Sequence, residues 1–210
     1  MRNDHQDYST ELPEVPLKVY TIPVSLRKHL YLFKTISGVF SYKKLDLGTK
    51  VLLENMIIPQ EKSQVLDLGC GYGIIGIVVA YESPESTVYF IDINKRAIWC
   101  TKENVKLNIP YLQSNIQVYT GNYFLPLKSK DIKFDAIFMN PPIRKGRREF
   151  LNLFDSIQSH MKSNGSFQFV IRKKLGSDFI NRYLIDLYSE DRIRILCKRS
   201  GYWVFHFTQI

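Results

Sequence analysis

Val65-Leu66-Asp67-Leu68-Gly69-Cys70-Gly71-Tyr72-Gly73 is the stretch whose reading decides the fold. An apolar run carrying one carboxylate, then broken by alternating glycines, reads as a buried strand passing into a tight turn. Such a turn lets backbone N–H groups approach a ligand closely, and the helix expected from about Gly73 presents its positive end there. Gly71-x-Gly73-x-x-Gly76 fits a general cofactor-loop fingerprint that several ligands share.

Outward from this loop, strands are expected near 64–68, 87–92, 115–119, 134–139 and 165–171. Helices are expected between them near 73–82, 94–107 and 147–162. Strand and helix in repeated alternation predict an α/β fold with a parallel sheet covered on both faces. The rhythm changes after a helix at Asp178–Tyr188. Ile193–Lys198 and Tyr202–Phe207 flank Arg199-Ser200-Gly201 as an antiparallel hairpin. Upstream, residues 1–16 read as a loosely held leader and 17–210 as one domain, in which 17–60 form a strand and helix extension. Tyr31–Lys34 and Gly38–Ser41 read as short strands around a turn. A helix is expected to begin at Asp46–Leu47, to carry Leu47, Val51, Leu52, Asn55 and Met56 on one face, and to end at Pro59.

A chain of 210 residues buries a core without staples. Cys70, Cys100 and Cys197 are scattered without metal-ligand spacing, so neither a disulfide framework nor a metal site is expected. No apolar run is long enough for a bilayer, and the N-terminal residues lack a signal-peptide core; the expected location is the cytoplasm. The net charge of +9 argues for a polyanionic partner, a nucleic acid or an acidic membrane surface.

Two carboxylates sharpen the cofactor reading. Asp67, at the end of its strand, would sit awkwardly beside a pyrophosphate but suits a cationic amino-acid group such as that of S-adenosylmethionine. Asp92 ends the next strand about 20 residues beyond the loop, the spacing at which a carboxylate binds a ribose diol. The alternative for Asp92 is capping of the following helix. Asn122, after the third strand, can accept from an adenine amine or serve as a turn residue.

Asn140-Pro141-Pro142-Ile143 leaves the fourth strand of the series. A conjugated exocyclic amine is a poor nucleophile because its lone pair is delocalised into the ring. The Asn140 side-chain carbonyl and the Pro141 backbone carbonyl, aimed at the amine hydrogens, would draw it toward sp³ geometry. The two prolines would stiffen the turn. The alternative is a rigid strand exit without chemistry.

These residues carry a resemblance. Asp67–Gly73 and Asn140-Pro141-Pro142-Ile143-Arg144 resemble small class I methyltransferases related to small-subunit ribosomal RNA guanine-N2 methyltransferases. Ser37–Ser41, Lys44–Thr49 and Val170–Lys174 extend the likeness over most of the chain from about Leu30. The resemblance implies a Rossmann-like, seven-stranded, mostly parallel sheet with a C-terminal antiparallel hairpin. It implies S-adenosylmethionine as cofactor, held by Asp67, Gly69, Gly71, Gly73 and Asp92, with Asn122 near the adenine. It also lays Phe40–Thr49 over the cofactor, which brings in Asp46, Gly48 and Thr49; helix capping is the competing role for these three. The implied reaction is methylation of an exocyclic amine, guanine N2 in ribosomal RNA first. Asn140 and Pro141 would orient the amine, Pro142 would stiffen the turn, and Ile143 would touch the base.

Ile143 stands where adenine-N6 and protein-glutamine methyltransferases usually carry an aromatic residue, which ranks adenine N6 in DNA or RNA and protein glutamine second, together with an amine of a free small molecule. A nicotinamide-dependent oxidoreductase and a non-catalytic RNA-binding protein rank lower still. Arg144, Lys145, Arg147 and Arg148 follow the clamp, and Arg172, Lys173 and Lys174 leave the fifth strand. Carboxyl ends of parallel strands line one crevice, so both clusters are expected to meet an RNA backbone there. A guanine N2 amine lies in the duplex minor groove, so an unpaired or extruded base is expected, with Tyr72 or Tyr123 available to stack on it.

Overall fold

The computed structural model describes residues 10–60, 62–142 and 147–210, with the Arg147 and Arg148 side chains left aside. Its centre is a seven-stranded sheet built from β3 (Gln64–Leu68), β4 (Thr87–Asp92), β5 (Ile116–Thr120), β6 (Phe134–Met139), β7 (Met161–Arg172), β8 (Ile193–Arg199) and β9 (Tyr202–Thr208). The spatial order is β5-β4-β3-β6-β7-β9-β8. The first five of these run parallel, and β9 enters antiparallel to both β7 and β8. The strand order reverses between β3 and β6, and a crevice opens at their carboxyl ends, where ligands of such sheets bind.

Period-2 alternation divides the core in two. Val65, Val88, Phe90, Phe138, Val170 and Val204 face α1 (Leu47–Asn55), α2 (Ile74–Glu82) and α3 (Lys95–Asn108). Leu66, Leu68, Ile137, Met139, Phe169 and Phe205 face α4 (Arg147–Ser159) and α5 (Ser177–Tyr188). Burial on both faces explains the nearly continuous apolar text of β3 and β6. Helix α2 lies hard against the sheet: a methyl at Gly76 would come within 2.3 Å of the Phe90 ring. Ser200 and Gly201, at φ 52° and 75°, make the two-residue turn joining β8 to β9.

The N-terminal elements differ in part from expectation. The early hairpin pairs β1 (Val19–Leu26) with β2 (His29–Ile36), so the strand partner lies upstream of Tyr31, and Gly38–Ser41 is a turn. The connecting residues Arg27 and Lys28 take φ 47° and 66° without glycine or asparagine, which hides the turn from composition. Helix α1 ends at Asn55, before Pro59, and Leu47 is exposed rather than part of the buried face. The hairpin is stitched to α3 by Asn104, which accepts from Lys34 N at 2.7 Å and donates to Lys34 O at 2.9 Å. Residues near Pro16 are tied down as well: Arg96 donates to Val15 O and Ser37 O, both at 2.8 Å. No described helix is long and apolar enough to cross a membrane.

Candidate active site

One cavity of about 220 Å³ occupies the crevice. Gly69, Gly71, Tyr72, Asp92, Asn94, Asn122, Tyr123, Asn140, Pro142 and Glu149 contribute to its wall, with Phe40, Ser41, Asp46 and Thr49 on the remaining side. Segments far apart in sequence therefore converge on one volume.

The glycine loop is held from below and behind. Gly69 N and Cys70 N donate to Ile91 O at 2.8 and 3.0 Å, and Thr101 Oγ1 donates to Gly71 O at 3.0 Å. Gly71 sits at φ 58° with open space where a Cβ would stand, so its backbone is a bare shelf facing the cavity. Gly73 does different work: at φ 87° it begins α2, and a Cβ there would press Thr101 at 3.0 Å. Gly73 thus serves close packing and is absent from the cavity wall.

Asp92 does face the cavity. Its Oδ2 accepts from Gly71 N and its Oδ1 from Asn94 N, both at 2.8 Å. Burial raises its pKa and these backbone donors lower it, with burial ahead. The helix cap suggested as its alternative role falls to Asn94, whose Oδ1 accepts from Arg96 N and Ala97 N. Asp92 keeps further acceptor capacity on both oxygens for a diol.

Asp67 lies under the loop, not on the cavity wall. It is 1% exposed, its Oδ2 accepts from Gly76 N at 2.9 Å, and its Oδ1 has no partner among the described residues. Burial pushes this carboxyl up to about 7, partly offset by the Gly76 N–H and reinforced by the Asp92 charge. A buried carboxylate oxygen without a donor fits a cation or a bridging donor above the loop better than it fits an anion.

Asn140 is locked by residues contributed by α1. Its Nδ2 donates to Thr49 Oγ1 at 2.8 Å and to Asp46 Oδ2 at 3.1 Å. Asp46 is also the N-cap of α1, its Oδ2 accepting from Thr49 N at 2.8 Å. Because a carboxylate only accepts, it compels the NH₂ side of the amide toward α1 and turns Oδ1 away. Asp46 thus caps α1 and also stands on the cavity wall. Gly48 belongs to the same turn but packs on Tyr202, whose ring would lie 2.8 Å from an added Cβ.

Asn122 and Tyr123 line the wall after β5, and Tyr123 OH reaches Glu149 Oε1 at 3.5 Å. Tyr72 lines it too but is largely buried against Phe33, its ring centroid 5.5 Å away. Arg172, Lys173 and Lys174 are exposed at the carboxyl end of β7, beside the end of β6, with the Arg172 guanidinium 5.9 Å from the Tyr202 ring centroid. Ile143, Arg144 and Lys145 lie outside the described residues, and Arg147 and Arg148 are located only as the start of α4. Sequence reasoning reached Ser41 only as part of the Phe40–Thr49 segment and did not single out Asn94 or Glu149. Asn94 carries a readable signal, a capping residue before an amphipathic run, whereas nothing local marks Glu149.

The family model described as "Methyltransferase small domain" matches residues 31–206. Uncharacterized protein YbxB of Bacillus subtilis is 32% identical over 205 residues, covering 98% of this chain and 99% of that one. Ribosomal RNA small subunit methyltransferase C of Buchnera aphidicola is 29% identical over 181 residues, 83% of this chain and 48% of the relative. Among solved structures, the T. thermophilus 16S rRNA N2 methyltransferase RsmC, in complex with AdoMet and guanosine, shares the fold. It aligns with a TM-score of 0.72 at 20% identity, over 94% of this chain and 52% of that one. The chain thus spans about half the length of these ribosomal RNA methyltransferases.

Proposed function

The chain belongs to the small methyltransferase domain family, and we propose that it is an S-adenosylmethionine-dependent N-methyltransferase acting on guanine N2 in ribosomal RNA. The observation that carries this reading is the locked amide of Asn140, with its acceptor turned from α1 in a cavity that also runs over the glycine shelf and Asp92.

The residues present fit the cofactor. The open shelf at Gly71 admits a close ligand, Asp92 offers acceptors for ribose hydroxyls, and the orphaned Asp67 oxygen favours positive charge above the loop. Gly69, Asn94 and Asn122 would complete the contact surface. The chemistry supplied by S-adenosylmethionine when bound is an electrophilic methyl on a positively charged sulfur. Asn140 Oδ1 and the Pro141 carbonyl would accept the two hydrogens of the amine and direct its lone pair across the cavity. Pro142 would keep the Asn140–Pro141 backbone from relaxing away from that geometry. The methylated amine is acidic enough to release its extra proton to water, so no strong base is required of the chain.

RNA as the partner is supported by the +9 charge and by Arg172, Lys173 and Lys174 on the same side of the sheet as the crevice. The sequence adjacency of Arg144, Lys145, Arg147 and Arg148 to the clamp adds to it, as do the names of the relatives. We assign the protein to a reducing cytoplasm, in keeping with three free cysteines of which Cys70 and Cys100 are buried. Calorimetric titration with S-adenosylmethionine tests the cofactor: micromolar binding that Asp92→Ala weakens at least tenfold is expected. Absence of wild-type binding, with and without RNA, would overturn the reading.

A further inference from the structure

We propose that Glu149 selects guanine by accepting a hydrogen bond from the ring N1–H, an inference that rests on the guanine-N2 reading above. The first turn of α4 brings Glu149 to the wall of the cavity that contains Asn140 and Pro142. With Tyr123, Pro141, Pro142, Phe150 and Leu153 it also lines a smaller recess against the proline pair. The carboxylate therefore borders the place where the amine must sit.

The chemistry of the base edge gives that carboxylate a use. In guanine the atom next to the N2 amine carries a hydrogen, N1–H, so the edge presents donors side by side. Adenine and 2-aminopurine offer a lone pair at N1. A carboxylate only accepts, so it attracts the first edge and repels the second. Leaving its oxygen unmatched against a lone pair costs more than a missing contact, which makes such a group a discriminator.

Two further features suit Glu149 to this role. It forms no ion pair with a described cation, and its partner is the Tyr123 hydroxyl at 3.5 Å. Tyr123 stands at φ 47°, directly after the Gly121–Asn122 turn, and this left-handed backbone sets its ring on the cavity wall. Burial and the Glu149 charge raise the Tyr123 hydroxyl, so it remains a donor toward one carboxylate oxygen.

The test compares wild type with Glu149→Gln, loaded with S-adenosylhomocysteine, in NMR titrations against guanosine and 2-aminopurine riboside. Both nucleosides carry the N2 amine; only guanosine carries N1–H. Wild type is expected to prefer guanosine by about tenfold or more, the size of a charge-assisted hydrogen bond. Glutamine can turn its NH₂ toward a lone pair, so the preference should shrink below about twofold in the variant. Formation of N2-methylguanosine in ribosomal RNA should fall by roughly ten- to a hundredfold, with the S-adenosylmethionine Kd unchanged. An equal preference in both proteins, or none in wild type, overturns the role of Glu149 even where wild type makes N2-methylguanosine. If wild type methylates a different nucleoside, the guanine reading itself falls and this inference with it.

Discussion

Asn140→Asp changes one atom group and asks whether the orientation of this amide is set by Asp46. The substitution removes the NH₂ that donates to Asp46 Oδ2 at 3.1 Å and puts an oxygen in its place. Two unit charges at that separation repel by about 5 kcal/mol at an effective dielectric of about 20. Both side chains are only half buried, so solvent screening brings the expected cost to about 2–4 kcal/mol. The pair can escape by keeping one proton between the two carboxyl groups. A shared proton donates toward Asp46 and again leaves a carbonyl oxygen for the cavity. The sign follows: the folded state holds a proton that the unfolded chain releases near the ordinary carboxylate value of about 4, so stability declines as pH rises beyond it. Urea denaturation should show little loss at pH 4 and a loss of about 2–4 kcal/mol at pH 8. Methyl transfer by the variant should be at least a hundredfold below wild type at pH 8 and recover relative to it at pH 5.5. A stability deficit equal at both pH values, or a pH–rate profile parallel to wild type, would show that Asp46 does not set the orientation of this amide.

Other consequences are independent of this pair. Gly76→Ala drives a methyl to within 2.3 Å of Phe90 and should destabilise the fold by about 1–3 kcal/mol in urea titration, despite the better helix propensity of alanine. Asp67 is held up to about 7 chiefly by burial, so wild-type stability should fall as pH rises from about 4 to about 7. Asp67→Asn should remove that contribution, up to about 4 kcal/mol across the window; an unchanged slope in the variant would refute it.

Much of the frame was legible because strand and helix alternate along most of the chain. Short apolar strands alternating with helical stretches predict the parallel sheet, and Arg199-Ser200-Gly201 predict the final hairpin. The glycine turn was legible because alternating glycines mark positive φ, which Gly69 and Gly71 both take. What escaped is tertiary. The sequence shows that Asp67 ends a strand but not that its carboxylate aims at Gly76 N instead of the cavity. The spacing of Gly73 does not separate ligand contact from packing on Thr101, since both demand a missing Cβ. The Asp46–Asn140 contact joins residues 94 apart, and local pattern carries no trace of it. Arg27–Lys28 make a turn with residues that do not favour one, because pairing of Ile22, Val24 and Leu26 with the Tyr31 and Phe33 strand imposes it.

The most direct measurement supplies labelled S-adenosylmethionine and under-methylated small ribosomal subunits to wild type and to Asn140→Ala, followed by nuclease digestion and mass spectrometry of the nucleosides. Wild type should place the label in N2-methylguanosine, and the variant should place none although it binds the cofactor as tightly. Label in another nucleoside, or N2-methylguanosine formed equally well by the variant, would contradict the proposed function.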